Sequence, residues 1–174
     1  METRVLVAGI GNIFFHDDGF GPAVAAAMLS AASPTPAGAP LPDGVRVVDY
    51  GIRGMHLAYD LLEGYDALLI VDALPGAKAP GELTVLEVGS DDLGAGGFDA
   101  HSMDPVSVLA SLGALGGKLP RTLVVGCQPG DVGEGIGLTP EVSRAVETAR
   151  VLVNRLAGDL LTHQAASVPL RQEA

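Results

Sequence analysis

The sequence is poor in cysteine, aromatic residues and positive charge. Among its 174 residues the only cysteine is Cys127, so no disulfide can form within the chain, and a reducing cytoplasm is the expected location. Tryptophan is absent, and aromatic residues make up 4% of the chain. The 10 Lys and Arg residues are outnumbered by 21 Asp and Glu, and the formal net charge of -11 argues against nucleic acid or an anionic membrane as a partner.

Long hydrophobic runs are also missing. No apolar stretch approaches the roughly 20 residues that a membrane-spanning helix requires, so no membrane partner is expected. The apolar segment Val5–Ile10 contains Gly9 and is followed closely by Asp17 and Asp18, which is typical of a buried strand and not of a secretory signal. The N-terminus is therefore expected to remain unprocessed.

The hydrophobic fraction is 48%, and small aliphatic residues account for most of it. This composition, at this chain length, predicts one compact α/β domain over residues 1–160. The pattern of apolar residues ends near Leu161, so residues 161–174 are expected to form a frayed tail.

Apolar periodicity and turn residues divide the chain into alternating strands and helices. Strands are predicted over residues 4–8, 45–50, 67–71, 82–88 and 122–127, and helices over 22–29, 54–62, 105–115 and 142–156. Thr139 and Pro140 supply a start signal for the last helix. The order indicates a largely parallel sheet, with residues 82–88 as a candidate antiparallel edge strand because no helix fits before them.

Polar side chains follow several of the predicted strands. Asp17 and Asp18 come after the first, Asp49 lies near the end of the second, Asp72 closes the third, and His101 precedes the helix at residue 105. Ligands bind outside the carboxyl ends of parallel strands. Two carboxylates and one imidazole leave open positions on a divalent ion, as a catalytic or recognition site requires, so one of Asp17 and Asp18 fits such a site together with Asp72 and His101.

Plainer roles are open for the same residues. Asp17 or Asp18 can cap the helix that follows. Asp72, directly after an apolar strand, is costly to bury unless it is paired or ligated. His101 alone fits a surface histidine, and Cys127 at a strand end fits packing better than nucleophilic catalysis.

A partial dinucleotide-binding fingerprint keeps a second class of function open. Gly9 and Gly11 follow a strand, but Phe14 stands where the third glycine belongs, and Asp17 and Asp18 place negative charge where a pyrophosphate would lie. The alternatives are thus a noncatalytic nucleotide- or small-ligand-binding α/β module, or a peptidase of similar fold that acts on another protein. No organic cofactor is expected.

Five ordered motifs resemble those of the hydrogenase maturation endopeptidases. They are Gly9–Asn12 with Asp17–Gly21, Val48–Gly51 with Gly54, Val71–Ala73, the histidine loop at His101, and Gly126–Pro129 with Gly137–Pro140. Together they extend over most of residues 4–150. The resemblance implies a three-layer α/β sandwich, with a mixed, mostly parallel five-stranded sheet and helices on both faces.

The resemblance also implies a function and a site. Members of this family remove the C-terminal extension of a nickel-iron hydrogenase large-subunit precursor after nickel insertion. Position by position, the resemblance assigns the catalytic and metal-binding roles to Asp18, Asp72 and His101. It leaves Asp17 and Asp49 as possible additional acids. The expected nickel is presented by the precursor, and either it activates the scissile bond or it only positions the substrate while Asp17 or Asp49 acts as general base.

Overall fold

The computed structural model describes residues 3–30, 40–89 and 105–162. Within these ranges the strands are β1 (Val5–Ile10), β2 (Val45–Gly51), β3 (Ala67–Ala73), β4 (Leu83–Val88) and β5 (Arg121–Cys127). The helices are α1 (Phe20–Leu29), α2 (Gly54–Leu61), α3 (Pro105–Ala114) and α4 (Pro140–Leu161). Among the described helices, none combines the length and the apolar sequence that a membrane span needs.

Each predicted strand and helix is present, with shifted boundaries. The largest difference is at the end of α4, which continues past Leu156 to Leu161. The extra turns form because Ala157 and Leu160 keep the buried face of the helix continuous. A turn of 3-10 helix at His16–Gly19, immediately before α1, was not predicted. The predicted tail beyond residue 162 lies outside the described residues.

The five strands form one sheet in the order β2-β1-β3-β5-β4. β1 pairs in parallel with β2 and β3, and β3 pairs in parallel with β5. β4 runs antiparallel to β5 at one edge, which confirms the expected mixed sheet. The central strand β3 is buried along its whole length, as its continuous apolar sequence requires.

Two hydrophobic cores lie on opposite faces of the sheet. Alternate strand residues, including Val7 and Leu69, pack with α1 and α4 on one face. Their neighbours in sequence, including Leu6 and Leu68, pack with α2 and α3 on the other. The period of two along each strand therefore produces the three-layer sandwich.

The chain changes direction across the sheet at β1. From β1 it passes through α1, on one face, to β2, and from β2 through α2, on the opposite face, to β3 on the other side of β1. The carboxyl ends of β1 and β3 thus flank a topological switch point, the usual position of ligand sites in open α/β sheets. Asp18 follows β1 and Asp72 lies near the end of β3.

Glycine allows α1 to begin directly over this switch point. A Cβ atom at Gly21 would overlap the carbonyl oxygen of Ile10 and the carbonyl oxygen of Val71. These are the last residue of β1 and the residue before Asp72. Any side chain at position 21 would therefore push the helix away from both strand ends.

We expect Gly21→Ala to lower the free energy of unfolding by about 2 kcal/mol, because rigid backbone atoms occupy the space that the methyl group needs. Gly158→Ala is the matched control, since nothing lies within 4 Å of a Cβ atom there. In the interior of α4 that change should raise stability by about 0.7 kcal/mol. Urea unfolding of both variants measures the difference, and equal stabilities would contradict the close approach.

Candidate functional site

Asp18 belongs to the 3-10 turn that joins β1 to α1. Its Oδ2 atom accepts a hydrogen bond of 2.9 Å from the backbone N–H of Asn12. The side chain is half-buried, and Oδ1 accepts no hydrogen bond from the described residues. One carboxylate oxygen therefore fixes the orientation of the group, while the other is available to a ligand.

Asp72 lies near the end of β3, in the strand beside β1. Only 7% of the residue is exposed, and its Oδ1 atom accepts a hydrogen bond of 2.8 Å from the N–H of Ala73. The 3-10 turn that carries Asp18 packs against β3. The fold thus brings both carboxylates to one edge of the sheet, from neighbouring strands.

Of the other two candidates, only Asp49 lies within the described residues. His101 lies outside the described residues, and within the described part of the chain no three His, Cys, Asp or Glu side chains are placed to hold a metal ion. Asp49 is exposed at the end of β2, where its Oδ1 atom accepts a hydrogen bond of 2.9 Å from the N–H of Gly51. Arg53 secures the same turn by donating to the carbonyl oxygen of Asp49 at 2.7 Å.

Asp17 has a different role from the one first considered. It is fully buried, and its Oδ2 atom accepts hydrogen bonds from the N–H groups of Gly130 at 2.8 Å and Asp131 at 2.9 Å. Thr139 supplies two more, from its N–H to Oδ1 at 2.7 Å and from its hydroxyl to Oδ2 at 2.9 Å. The interpretation of Asp17 or Asp18 as a cap of α1 is wrong, because that helix begins without a side-chain cap and the Asp17 carboxylate is engaged by a distant loop.

These contacts keep Asp17 ionised. Burial opposes the charge, but the hydrogen bonds from Thr139, Asp131 and Gly130 outweigh it and hold the pKa of Asp17 below its ordinary value. A general base must be accessible to water or substrate and must gain a proton readily. Burial and a lowered pKa make Asp17 unsuited to that task, so its role is to hold the loop of residues 130–139 in place.

Backbone contacts extend the attachment between the two loops. The N–H of His16 donates to the carbonyl oxygen of Gly135 at 2.9 Å. The N–H of Gly135 in turn donates to the carbonyl oxygen of Phe14 at 2.8 Å. The Nδ1 atom of His16 donates to the carbonyl oxygen of Gly137 at 2.9 Å. His16 has a φ of 43°, a left-handed conformation that is uncommon for histidine and is held here by these bonds. His16 therefore acts structurally.

Comparison with known proteins identifies the family. A family model described as "Hydrogenase maturation protease" matches residues 37–155. The chain belongs to the hydrogenase maturation protease family. It is therefore a hydrolase of the peptidase class that acts in hydrogenase maturation.

Individual relatives agree with this membership. The chain is 34% identical over 151 residues to the hydrogenase 2 maturation protease of Escherichia coli, covering 84% of this chain and 85% of that one. It is 32% identical over 152 residues to the coenzyme F420 hydrogenase subunit delta of Methanothermobacter thermautotrophicus, covering 85% and 90%. The solved structure of the hydrogenase maturating endopeptidase HybD from E. coli matches with a TM-score of 0.70 at 28% identity and 94% coverage of both chains. The α/β fold is thus that of the family.

The geometry of this maturation protease explains the incomplete dinucleotide motif. A phosphate at this position would need free backbone N–H groups. Here the N–H of Asn12 donates to Asp18, and the N–H of Phe14 donates to the side-chain oxygen of Asn12 at 3.0 Å. A Cβ atom at Gly11 would overlap the carbonyl oxygen of Asp18. The glycines therefore accommodate the protein's own loop and not a nucleotide.

Cys127 is confirmed as a packing residue. It is fully buried at the end of β5, in the core beside α1 and α4. Burial and the nearby charge of Asp17 raise the pKa of the thiol to about 11. A buried, protonated thiol has little nucleophilic character at neutral pH.

The sequence alone did not reveal the partner of Asp17. The family-like motifs Gly126–Pro129 and Gly137–Pro140 border this loop, but nothing in their spacing indicates that N–H groups of residues 130–139 converge on a carboxylate more than 110 positions earlier. The only available signal was the glycine-rich composition of this segment, which is typical of a loop that exposes its backbone to close contacts. The exposed apolar residues Phe14 and Ile136 were also missed.

We expect Asp17→Asn to lower the free energy of unfolding at pH 7 by about 3 kcal/mol, because the amide has one acceptor oxygen and turns N–H groups towards backbone donors. The exposed Asp43 provides the matched control, Asp43→Asn, which should change stability by less than about 0.5 kcal/mol. Urea unfolding at pH 7 measures both.

The same pair of variants tests the acid dependence. Because the folded state lowers the pKa of Asp17, its stabilising contribution is complete above the unfolded pKa of about 3.9 and is lost as pH falls through the lower folded value. The Asp17→Asn variant has no carboxylate to protonate at this position. It should therefore lose less stability than the wild type as pH falls through this range. An acid profile identical to that of the wild type would contradict the assignment.

Proposed function

We propose that this maturation protease removes a C-terminal extension from a nickel-iron hydrogenase large-subunit precursor after nickel has been inserted. In this proposal Asp18, Asp72 and His101 bind the nickel that the precursor presents. The observation that carries it is the placement of Asp18 and Asp72 at the carboxyl ends of adjacent strands, at the switch point, in a protein of this family. The motif resemblance supplies His101.

The chemistry of the donors supports nickel as the group recognised. Carboxylate oxygen and imidazole nitrogen are suitable ligands for divalent first-row metals. The free Oδ1 atom of Asp18 meets this requirement, and the bond from Asn12 holds its carboxylate in one orientation. Three protein ligands leave coordination positions on nickel for groups of the precursor. The site can therefore bind a nickel ion that the precursor already holds.

Hydrolysis of the peptide joins the oxygen of water to the scissile carbonyl carbon, breaks the C–N bond and transfers a proton to the departing amine. Nickel held at the site supplies positive charge that polarises the carbonyl or lowers the pKa of water. If an acid of the protein accepts the proton from water, Asp49 is the better placed of the two acids considered, because it is exposed at the same edge of the sheet. Asp17 is buried and fully engaged by hydrogen bonds.

The decisive experiment incubates the purified protein with nickel-loaded and nickel-free precursors and follows the loss of the C-terminal extension by intact mass. Cleavage of the loaded precursor alone is expected, because only that form presents the recognised metal. Equal cleavage of both forms would remove nickel recognition from the proposal. No cleavage of either by a folded protein would reject the peptidase assignment to this substrate.

Variants of the three ligands test their roles in the same assay. Asp18→Asn, Asp72→Asn and His101→Gln should each lower the rate of cleavage by at least about 100-fold, more than the loss typical of groups that only support a metal ligand. Asp18→Asn is the sharpest of these, since the amide oxygen can still accept the hydrogen bond from Asn12 while the charge is lost. Asp43→Asn is the control, and thermal unfolding confirms that each variant is folded. Full activity in any ligand variant would exclude that residue from the site.

A further inference from the structure

Five large apolar side chains are exposed to solvent on the two loops that Asp17 joins. The exposed fractions are 50% for Ile13, 59% for Phe14, 37% for Phe15, 49% for Val132 and 75% for Ile136. We call these five residues the apolar rim. Single exposed apolar residues are ordinary, but a group on joined loops beside a functional site is typical of a protein interaction surface.

The apolar rim is held in place before any partner binds. Phe15 and Gly135 form a parallel bridge, and backbone hydrogen bonds join Phe14 and His16 to Gly135. The carboxylate of Asp17 fixes both ends of the second loop. A surface fixed in advance loses little conformational entropy on binding, so its apolar area contributes more fully to affinity.

The apolar rim adjoins Asp18, one of the residues proposed to bind nickel. The N–H of Asp18 donates to the carbonyl oxygen of Phe15 at 3.0 Å, and the Asp18 carboxylate accepts from Asn12, the residue before Ile13. A Cβ atom at Gly19 would lie 3.3 Å from the Cα atom of Ile13, so Ile13 packs on the turn that carries Asp18. A protein seated on the rim would thus lie next to the site.

We propose that the apolar rim docks the folded body of the large-subunit precursor, as a contact that does not depend on nickel. This inference rests on the proposed function, which supplies a protein substrate. Docking adds a second element of recognition. The apolar rim binds the surface of the precursor, and nickel, if present, is then bound by Asp18, Asp72 and His101. Docking and metal recognition are separate contributions to specificity.

Charge distinguishes this occupant from a second copy of the chain. Asp131 and Glu134 are exposed among the apolar residues of the second loop, and the chain carries a net charge of -11. Two copies meeting at the rim would bring like charges together, which opposes association. The surface that fits is apolar at its centre with basic residues at its border, and we expect the precursor to present such a surface.

The test measures binding of the nickel-free precursor to immobilised protein by biolayer interferometry. Nickel-free precursor is used because it is not expected to be cleaved, so its Kd reports docking alone. The variant Phe14→Ser/Ile136→Ser should raise this Kd by about 10-fold to 100-fold, as is usual when large apolar anchors are removed from an interface. In cleavage of the loaded precursor the same variant should raise KM with kcat nearly unchanged.

The matched control is Leu29→Ser/Leu86→Ser, which removes side chains that are 54% and 45% exposed on other surfaces. It should leave Kd and KM within about 2-fold of the wild type, since neither residue belongs to the apolar rim. Thermal unfolding verifies that both double variants are folded.

The outcomes separate docking from the proposed function. An unchanged Kd in the rim variant would overturn docking even if the wild type cleaves the precursor, and so would sedimentation showing that the rim instead joins two copies of the chain. Absence of binding by the wild type would also overturn it. Rim-dependent binding with no cleavage of the loaded precursor would keep docking and reject the peptidase assignment to this substrate.

Discussion

The organisation of the site depends on one buried carboxylate. Asp17 accepts four hydrogen bonds from a loop that is distant in sequence, and these bonds fix residues 130–139 against the segment between β1 and α1. An unpartnered charge at this depth would be strongly destabilising, so the two loops must meet if the chain is to fold. The same attachment sets the position of the neighbouring Asp18 and displays the apolar rim. A structural acid thus lies directly beside the acid that we propose binds the precursor's nickel.

Much of the fold follows from local patterns. The correct elements are predicted by the apolar runs of β1 and β3, the alternation in β4 and the Thr139-Pro140 start of α4. For the strands this succeeds because burial on one or both faces of a sheet determines which positions are apolar. No local pattern of this kind distinguishes the role of Asp17 from that of Asp18. Both are acids in one motif, and only the distant N–H groups of residues 130–139 make the first structural. His101 lies outside the described residues, so its part in the site remains a prediction.

The arrangement suggests how specificity and chemistry are divided. Glycine at position 21 lets α1 begin at the strand ends, which concentrates Asp18 and Asp72 at the switch point. The described residues offer no activated nucleophile: Cys127 is buried and its pKa is raised. In our proposal the substrate's own nickel therefore completes the site, and a precursor without metal is docked but not cut. Cleavage would then report the completion of metal insertion.

Nickel K-edge X-ray absorption on the loaded precursor would show whether the precursor's nickel gains the ligands that we propose, Asp18, Asp72 and His101. Spectra are recorded for the precursor alone, immediately after mixing with the wild-type protein, and with Asp18→Asn. We expect additional oxygen and nitrogen neighbours around nickel with the wild type and a smaller change with Asp18→Asn. A nickel spectrum that is unchanged while the wild type cleaves the precursor would contradict this proposal.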